Sequence, residues 1–146
     1  MKRSSFLPLA SVLLLAVTLA VSAAAQSTDR DHPSAVKANE INGILDGSGN
    51  EYFYTFVAGP GEVSLMVDVK STEGQALLNF ELLDKNAATA ILCCETAQAD
   101  GDGQSARQVK SVTLTERQKV VLHATVGKAG KGTYRVRLSG AVVSEP

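Results

Sequence analysis

Residues Glu51 to Lys70 read EYFYTFVAGPGEVSLMVDVK, and this stretch decides the fold. Its second half alternates strictly: Val63, Leu65, Val67 and Val69 fall on one side, and Ser64, Met66, Asp68 and Lys70 on the other. A period of two is the pattern of a half-buried strand. The first half carries four of the chain's seven aromatic residues, Tyr52, Phe53, Tyr54 and Phe56. Bulky groups stand on both of its faces, so it reads as a strand covered on both sides. Between the halves lies Ala58-Gly59-Pro60-Gly61. Pro60-Gly61 suits the centre of a type II turn, whose twist does not match a tight two-residue hairpin. The join is therefore either a longer loop with a bulge or an arch passing from one sheet to another.

The same punctuation extends in both directions. Val36 to Leu45 reads as a first strand, closed by the turn Asp46-Gly47-Ser48-Gly49-Asn50. Downstream, Leu78, Phe80 and Leu82 share a face within Ala76–Leu83, and Asp84-Lys85-Asn86 turns the chain into the apolar run Ala88–Thr96. Ala97 to Ala106, AQADGDGQSA, is expected to be a mobile loop. Val109 and Val112 do not fit one alternation, which predicts a bulge or an offset strand start. Val120, Leu122, Ala124 and Val126 alternate again, as do Tyr134, Val136 and Leu138. About eight short strands, with no helix-length segment of period 3.6, predict an all-β, two-sheet, jelly-roll-like sandwich of antiparallel strands. An up-and-down barrel is the alternative topology.

The N-terminus has a different character. Lys2 and Arg3 precede an uncharged apolar segment from Phe6 to Val21, and Ala23-Ala24-Ala25 offers the small residues that a signal peptidase reads. The expectation is a signal peptide over residues 1–25, and hence a secreted or periplasmic product with no membrane span after cleavage. The competing reading is an uncleaved anchor, because Ser4 to Ala25 is long enough to cross a bilayer. No cysteine marks a lipoprotein site. Residues 26–35, polar and holding Pro33, are expected to be a flexible leader, residues 36–142 the sandwich, and residues 143–146 a tail.

Charge is unevenly distributed. From Gln26 to Asp102 there are 4 basic and 13 acidic residues, and from Gly103 onward 8 basic and 2 acidic. Either acidic strands of the first half lie beside basic strands of the second, or Lys119, Arg135 and Arg137 form a basic face for an anionic polymer. There is no tryptophan, and few aromatics fall in the basic half, which argues against nucleic acid as a partner.

Several motifs together resemble the bacterial pre-peptidase C-terminal domain. They are Gly43-x-Leu45, the run Asn50-Glu51-Tyr52-Phe53-Tyr54-x-Phe56-x-Ala58-Gly59, Ala76-x-Leu78-x-Phe80-x-Leu82-x-Asp84 and Gly132-Thr133-Tyr134-x-Val136-x-Leu138-x-Gly140. The likeness spans roughly residues 40–140. It implies a jelly-roll-like sandwich of the kind carried as an accessory module on secreted peptidases. Related collagen-binding modules would add calcium near the first turn and a protein ligand on an aromatic-lined face. Asn50 and Glu51 stand where that family often has aspartates, and no catalytic domain accompanies the module in this chain.

The candidate chemistry is sparse. Asp100-Gly101-Asp102-Gly103, with Glu95 nearby, could supply oxygen ligands to calcium, although it lacks the bidentate carboxylate of a dedicated loop. The resemblance suggests a second calcium set, Glu40, Asn42, Asp46 and Glu51. Cys93-Cys94 admits two unpaired thiols, a vicinal disulfide or a bridge to a second chain, with unpaired thiols preferred because strand neighbours point to opposite faces. No second Cys or His pair has zinc-ligand spacing. His123 has no nucleophile-elbow motif to serve, and Glu81 with Asp84 does not read as an acid–base pair. The expected function is a non-catalytic module binding a protein or polysaccharide, with Tyr52, Tyr54, Arg135 and Arg137 as candidate contact residues. The alternative is an assembly factor that pairs a sheet edge with a partner strand.

Overall fold

The structure is a computed structural model and describes residues 26–143. The predicted signal peptide lies outside the described residues. Eight strands follow in order: β1 (Ser34–Ala35), β2 (Glu40–Leu45), β3 (Glu51–Glu73), β4 (Gln75–Leu83), β5 (Ala90–Asp100), β6 (Ser105–Leu114), β7 (Gln118–Val126) and β8 (Lys131–Val143).

The deciding stretch is a single strand of 23 residues. Its first half, from Glu51 to Ala58, pairs with β7, and its second half, from Gly61 on, pairs with β6 and β8; the end of β8 also follows it back to Val57 and Ala58. β3 thus belongs to two layers, one in the order β3–β7–β4–β5 and the other β2–β8–β3–β6. No type II turn forms at Pro60-Gly61. The join is instead the corner where the strand passes between layers, with a register shift between Ala58 and Val63. The inward positions change phase there: Tyr52, Tyr54, Phe56 and Ala58 before it, Val63, Leu65, Val67 and Val69 after it. Gly59, at φ 86°, is required at the corner, because a side chain would run into the Glu116 carbonyl.

One core fills the space between the layers. Leu78, Phe80 and Leu82 of β4 and Val120, Leu122, Ala124 and Val126 of β7 face Ile41 and Leu45 of β2, Val136 and Leu138 of β8, and the valines of β3. Hydrocarbon burial of this kind stabilises by about 25 cal/mol per Å². All ladders are antiparallel except the two-residue pairing of β1 with β3. No ladder joins β5 to β6 among the described residues, so the sheet folds over itself without closing into a barrel. Glu95 and Lys110 instead bridge that side at 2.8 Å. Their ladder partners Phe80 and Leu65 are core residues, so both charges point inward, a device that blunts an edge.

Three local expectations are corrected. The stretch Ala97–Ala106 is mostly strand, because Ala97 and Ala99 alternate into the core and only residues 101–104 turn. Their small side chains had left too weak a hydropathy contrast to show it. No bulge separates Val109 from Val112; the ladder is regular, and Val109 opposes Met66 on the outer face, 52% exposed. The leader is also held in place. Phe53 N–H donates to the Ser27 carbonyl at 2.8 Å, Val36 N–H to Thr55 at 2.9 Å, and β1 lies along Tyr54–Thr55.

Candidate functional site

The outer face of the β2–β8–β3–β6 layer is built from the positions that alternate with the core: Asn42 and Ile44, Thr133, Arg135 and Arg137, Asp68 and Lys70, Ser105 and Arg107. Together they line a groove of about 940 Å³. Arg135 Nε lies 3.5 Å and Arg137 Nε 3.4 Å from the two oxygens of Glu40, and Arg135 also donates to Asn42 at 3.0 Å. Arg107 Nε lies 2.5 Å from Asp68. The Asn42 amide, and after it the two arginines, hold the Glu40 carboxyl below the usual carboxylate range. Two carboxylates are thus shared among three guanidiniums, and Lys70 adds a fourth positive charge to the lining.

The charge asymmetry of the sequence is thereby accounted for largely by pairing. Asp68–Arg107, Glu95–Lys110, Glu73–Lys131 and Glu40 with both Arg135 and Arg137 each join an acid of the first half to a base of the second. Lys119 does not share a face with the arginines. It opposes Val57 in the β3–β7 ladder, in the other layer.

Tyr52 and Tyr54 are not contact residues. They are 9% and 1% exposed, on the inward side of β3, and Tyr54 Oη lies 2.9 Å from Tyr134 Oη in the core. The aromatic density that suggested a binding face is core material. Every described aromatic side chain is buried. Gly43 permits this arrangement, since any Cβ there would occupy the Tyr134 ring.

The proposed calcium residues do not converge. Glu95 faces inward to Lys110, whereas Asp100, five positions along the same strand, accepts from Gln75 at 2.8 Å and Gln98 at 2.5 Å, which lower its pKa. Asp102 accepts the Gly74 N–H at 2.6 Å. Of the alternative set, Asp46 accepts the Ser48 N–H at 3.1 Å, Glu40 and Asn42 bond each other at 2.9 Å, and Glu51 lies 3.7 Å from His123. Each carboxylate is engaged in a turn, an ion pair or, for Asp100, side-chain amide hydrogen bonds.

The outer face of the other layer holds a cluster that linear spacing concealed. His123 on β7 stacks on Phe53 with ring centroids 4.6 Å apart, and its Nδ1 lies 2.8 Å from Glu81 Oε1 on β4. Opposite Glu81, β5 bulges: Phe80 pairs with Glu95 and Leu82 with Leu92, leaving Cys93 and Cys94 against one residue. Cys94 has φ 63°, and the two cysteines form a vicinal disulfide, so the expectation of unpaired thiols is corrected. A bulge takes the pair off regular strand geometry, which is what had argued against bonding. Asp84, by contrast, accepts the backbone N–H groups of Asn86, Ala88 and Thr89 and organises a turn.

No protein-family model matches the sequence, and neither does any curated protein. Among solved structures, the chain is similar to the pre-peptidase C-terminal domain of a collagenase from Bacillus anthracis, at 17% identity and a TM-score of 0.44, over 74% of this chain and 95% of that one. It is also similar to the CBM36-1 domain of a multidomain xylanase from the hindgut metagenome of Trinervitermes trinervoides (15%, TM-score 0.49, 68% and 78%). A carbohydrate-binding module from Cellvibrio mixtus lichenase 5A, solved with cellotriose, follows at 14%, TM-score 0.38, 73% and 90%.

Proposed function

We propose that this chain is an exported, non-catalytic β-sandwich module that holds an acidic polysaccharide in the groove of the β2–β8–β3–β6 face. The observation that carries this reading is the lining of the groove: Lys70, Arg107, Arg135 and Arg137, four positive charges against the two carboxylates of Asp68 and Glu40. Guanidinium forks match carboxylate and sulfate groups in shape as well as in charge. Neutral sugars are commonly gripped by stacking on aromatic rings, and no described aromatic ring is exposed. Charge is the recognition chemistry left on this face. Export is supported by the sequence of residues 1–25.

Affinity electrophoresis through polygalacturonate, heparin and dextran tests the reading. Retardation by the two anionic polymers at low salt is expected, with none by dextran and relief as salt rises. The Arg135→Ser/Arg137→Ser variant is expected to migrate freely. Equal mobility in all three gels at low salt would end the proposal.

A further inference from the structure

The second cluster lies in the other layer, on different strands from the groove. Ligand atoms of Glu81, Cys93 and Cys94 all lie within 4.8 Å of one another, the only such grouping of metal-capable side chains among the described residues. Both cysteines are exposed, and Cys94 lines a pocket of about 240 Å³ with Asn79, Phe80, Glu81, His123 and Thr125. Cys93 Sγ is 3.9 Å from Glu81 Oε2, while the other oxygen of that carboxylate is held by His123 Nδ1. The carboxylate is therefore fixed by β7 with one oxygen turned toward the sulfurs of β5.

The geometry points to a redox-gated site for a thiophilic divalent cation of the zinc class, with Cys93, Cys94 and Glu81 as ligands. In the disulfide form the sulfurs are bonded to each other and the site is closed. A thiol reductant opens it by exchange: the S–S bond breaks, the reductant is oxidised to its own disulfide, and its two protons pass to Cys93 and Cys94. The cation then displaces those two protons and binds two thiolates and one carboxylate oxygen. Donors around tetrahedral zinc stand about 3.5 Å apart; Cys93 Sγ and Glu81 Oε2 are already 3.9 Å apart, and breaking the S–S bond lets the two sulfurs separate to that spacing. Two thiolates select for zinc over calcium or magnesium. The fourth position opens into the pocket beside His123.

The test uses the protein reduced with excess thiol, desalted without oxygen and titrated with Co²⁺, with Zn²⁺ competition. The expected result is one Co²⁺ per chain, thiolate-to-cobalt charge-transfer absorption, and displacement by Zn²⁺. The oxidised protein should give no such band. Cys93→Ser/Cys94→Ser, at exposed positions, should fold normally and lose the band, and Glu81→Gln should keep a weakened band with affinity at least about tenfold lower. Reduced protein that binds Co²⁺ no better than the double serine variant would overturn the proposal. So would an affinity unchanged by Glu81→Gln.

Discussion

The two layers share an interior but have opposite exteriors. The outside of β2–β8–β3–β6 is a net of ion pairs over a wide groove, with Arg135 and Arg137 divided over one Glu40. The outside of β3–β7–β4–β5 holds a second small apolar cluster, Phe53, Leu83, Ala87 and Val121, with His123 stacked on Phe53 and the leader pinned at Ser27. β3 supplies both. Its outward residues are Phe53 and Val57 before the corner and Met66, Asp68 and Lys70 after it. A single strand can thus present a covered apolar strip in one layer and an open charged strip in the other, because the phase of its alternation changes at Gly59-Pro60-Gly61.

The largest expected effects come from testing whether the difference is confined to the exterior. Leu65→Ala in one layer and Leu78→Ala in the other should each cost about 3 kcal/mol in chemical denaturation, since both residues are fully buried in the same core. A loss below about 1 kcal/mol at either would mean that layer is loosely packed. Next is the Tyr54–Tyr134 pair, where the layers meet. Burial raises the phenol pKa of both above the ordinary 10.0. The folded state therefore keeps protons that the unfolded chain releases, so their contribution is fully present below pH 10 and is lost as pH rises beyond it. Thermal melts should show that alkaline loss, and Tyr54→Phe/Tyr134→Phe should flatten it.

A smaller effect tests the cover on the apolar exterior. Removing residues 26–33 should lower Tm by a few degrees, corresponding to about 1 kcal/mol, by exposing Phe53. An unchanged melt would make the leader an ornament. Smallest is the inward pair at the open side: Lys110→Met should change stability by no more than about 1 kcal/mol, because Glu95 keeps 21% of its side-chain surface in water.

Much of this architecture was legible in the residues. Val63–Val69, Val120–Val126 and Tyr134–Leu138 announce their inward faces by alternation, and the pairing of acidic with basic strands follows from the charge asymmetry. Other features carry no local signal. Glycine and proline at residues 59–61 read as a turn, although backbone pairing continues on both sides of them. The leader docks through main-chain bonds, which its polar side chains do not advertise. Tyr52 and Tyr54 were misplaced because aromatic density marks cores and contact faces alike. Glu81, His123 and Cys93-Cys94 meet only through the register of β5, β4 and β7, which depends on strand order rather than on spacing along the chain.

The groove carries the central functional claim, and backbone amide shifts of isotopically labelled protein titrated with an oligogalacturonate address it most directly. Shifts concentrated at Lys70, Arg107, Arg135 and Arg137, with Phe53 and His123 unmoved, are the expected result. A silent spectrum, or shifts centred on the Phe53–His123 face, would contradict it.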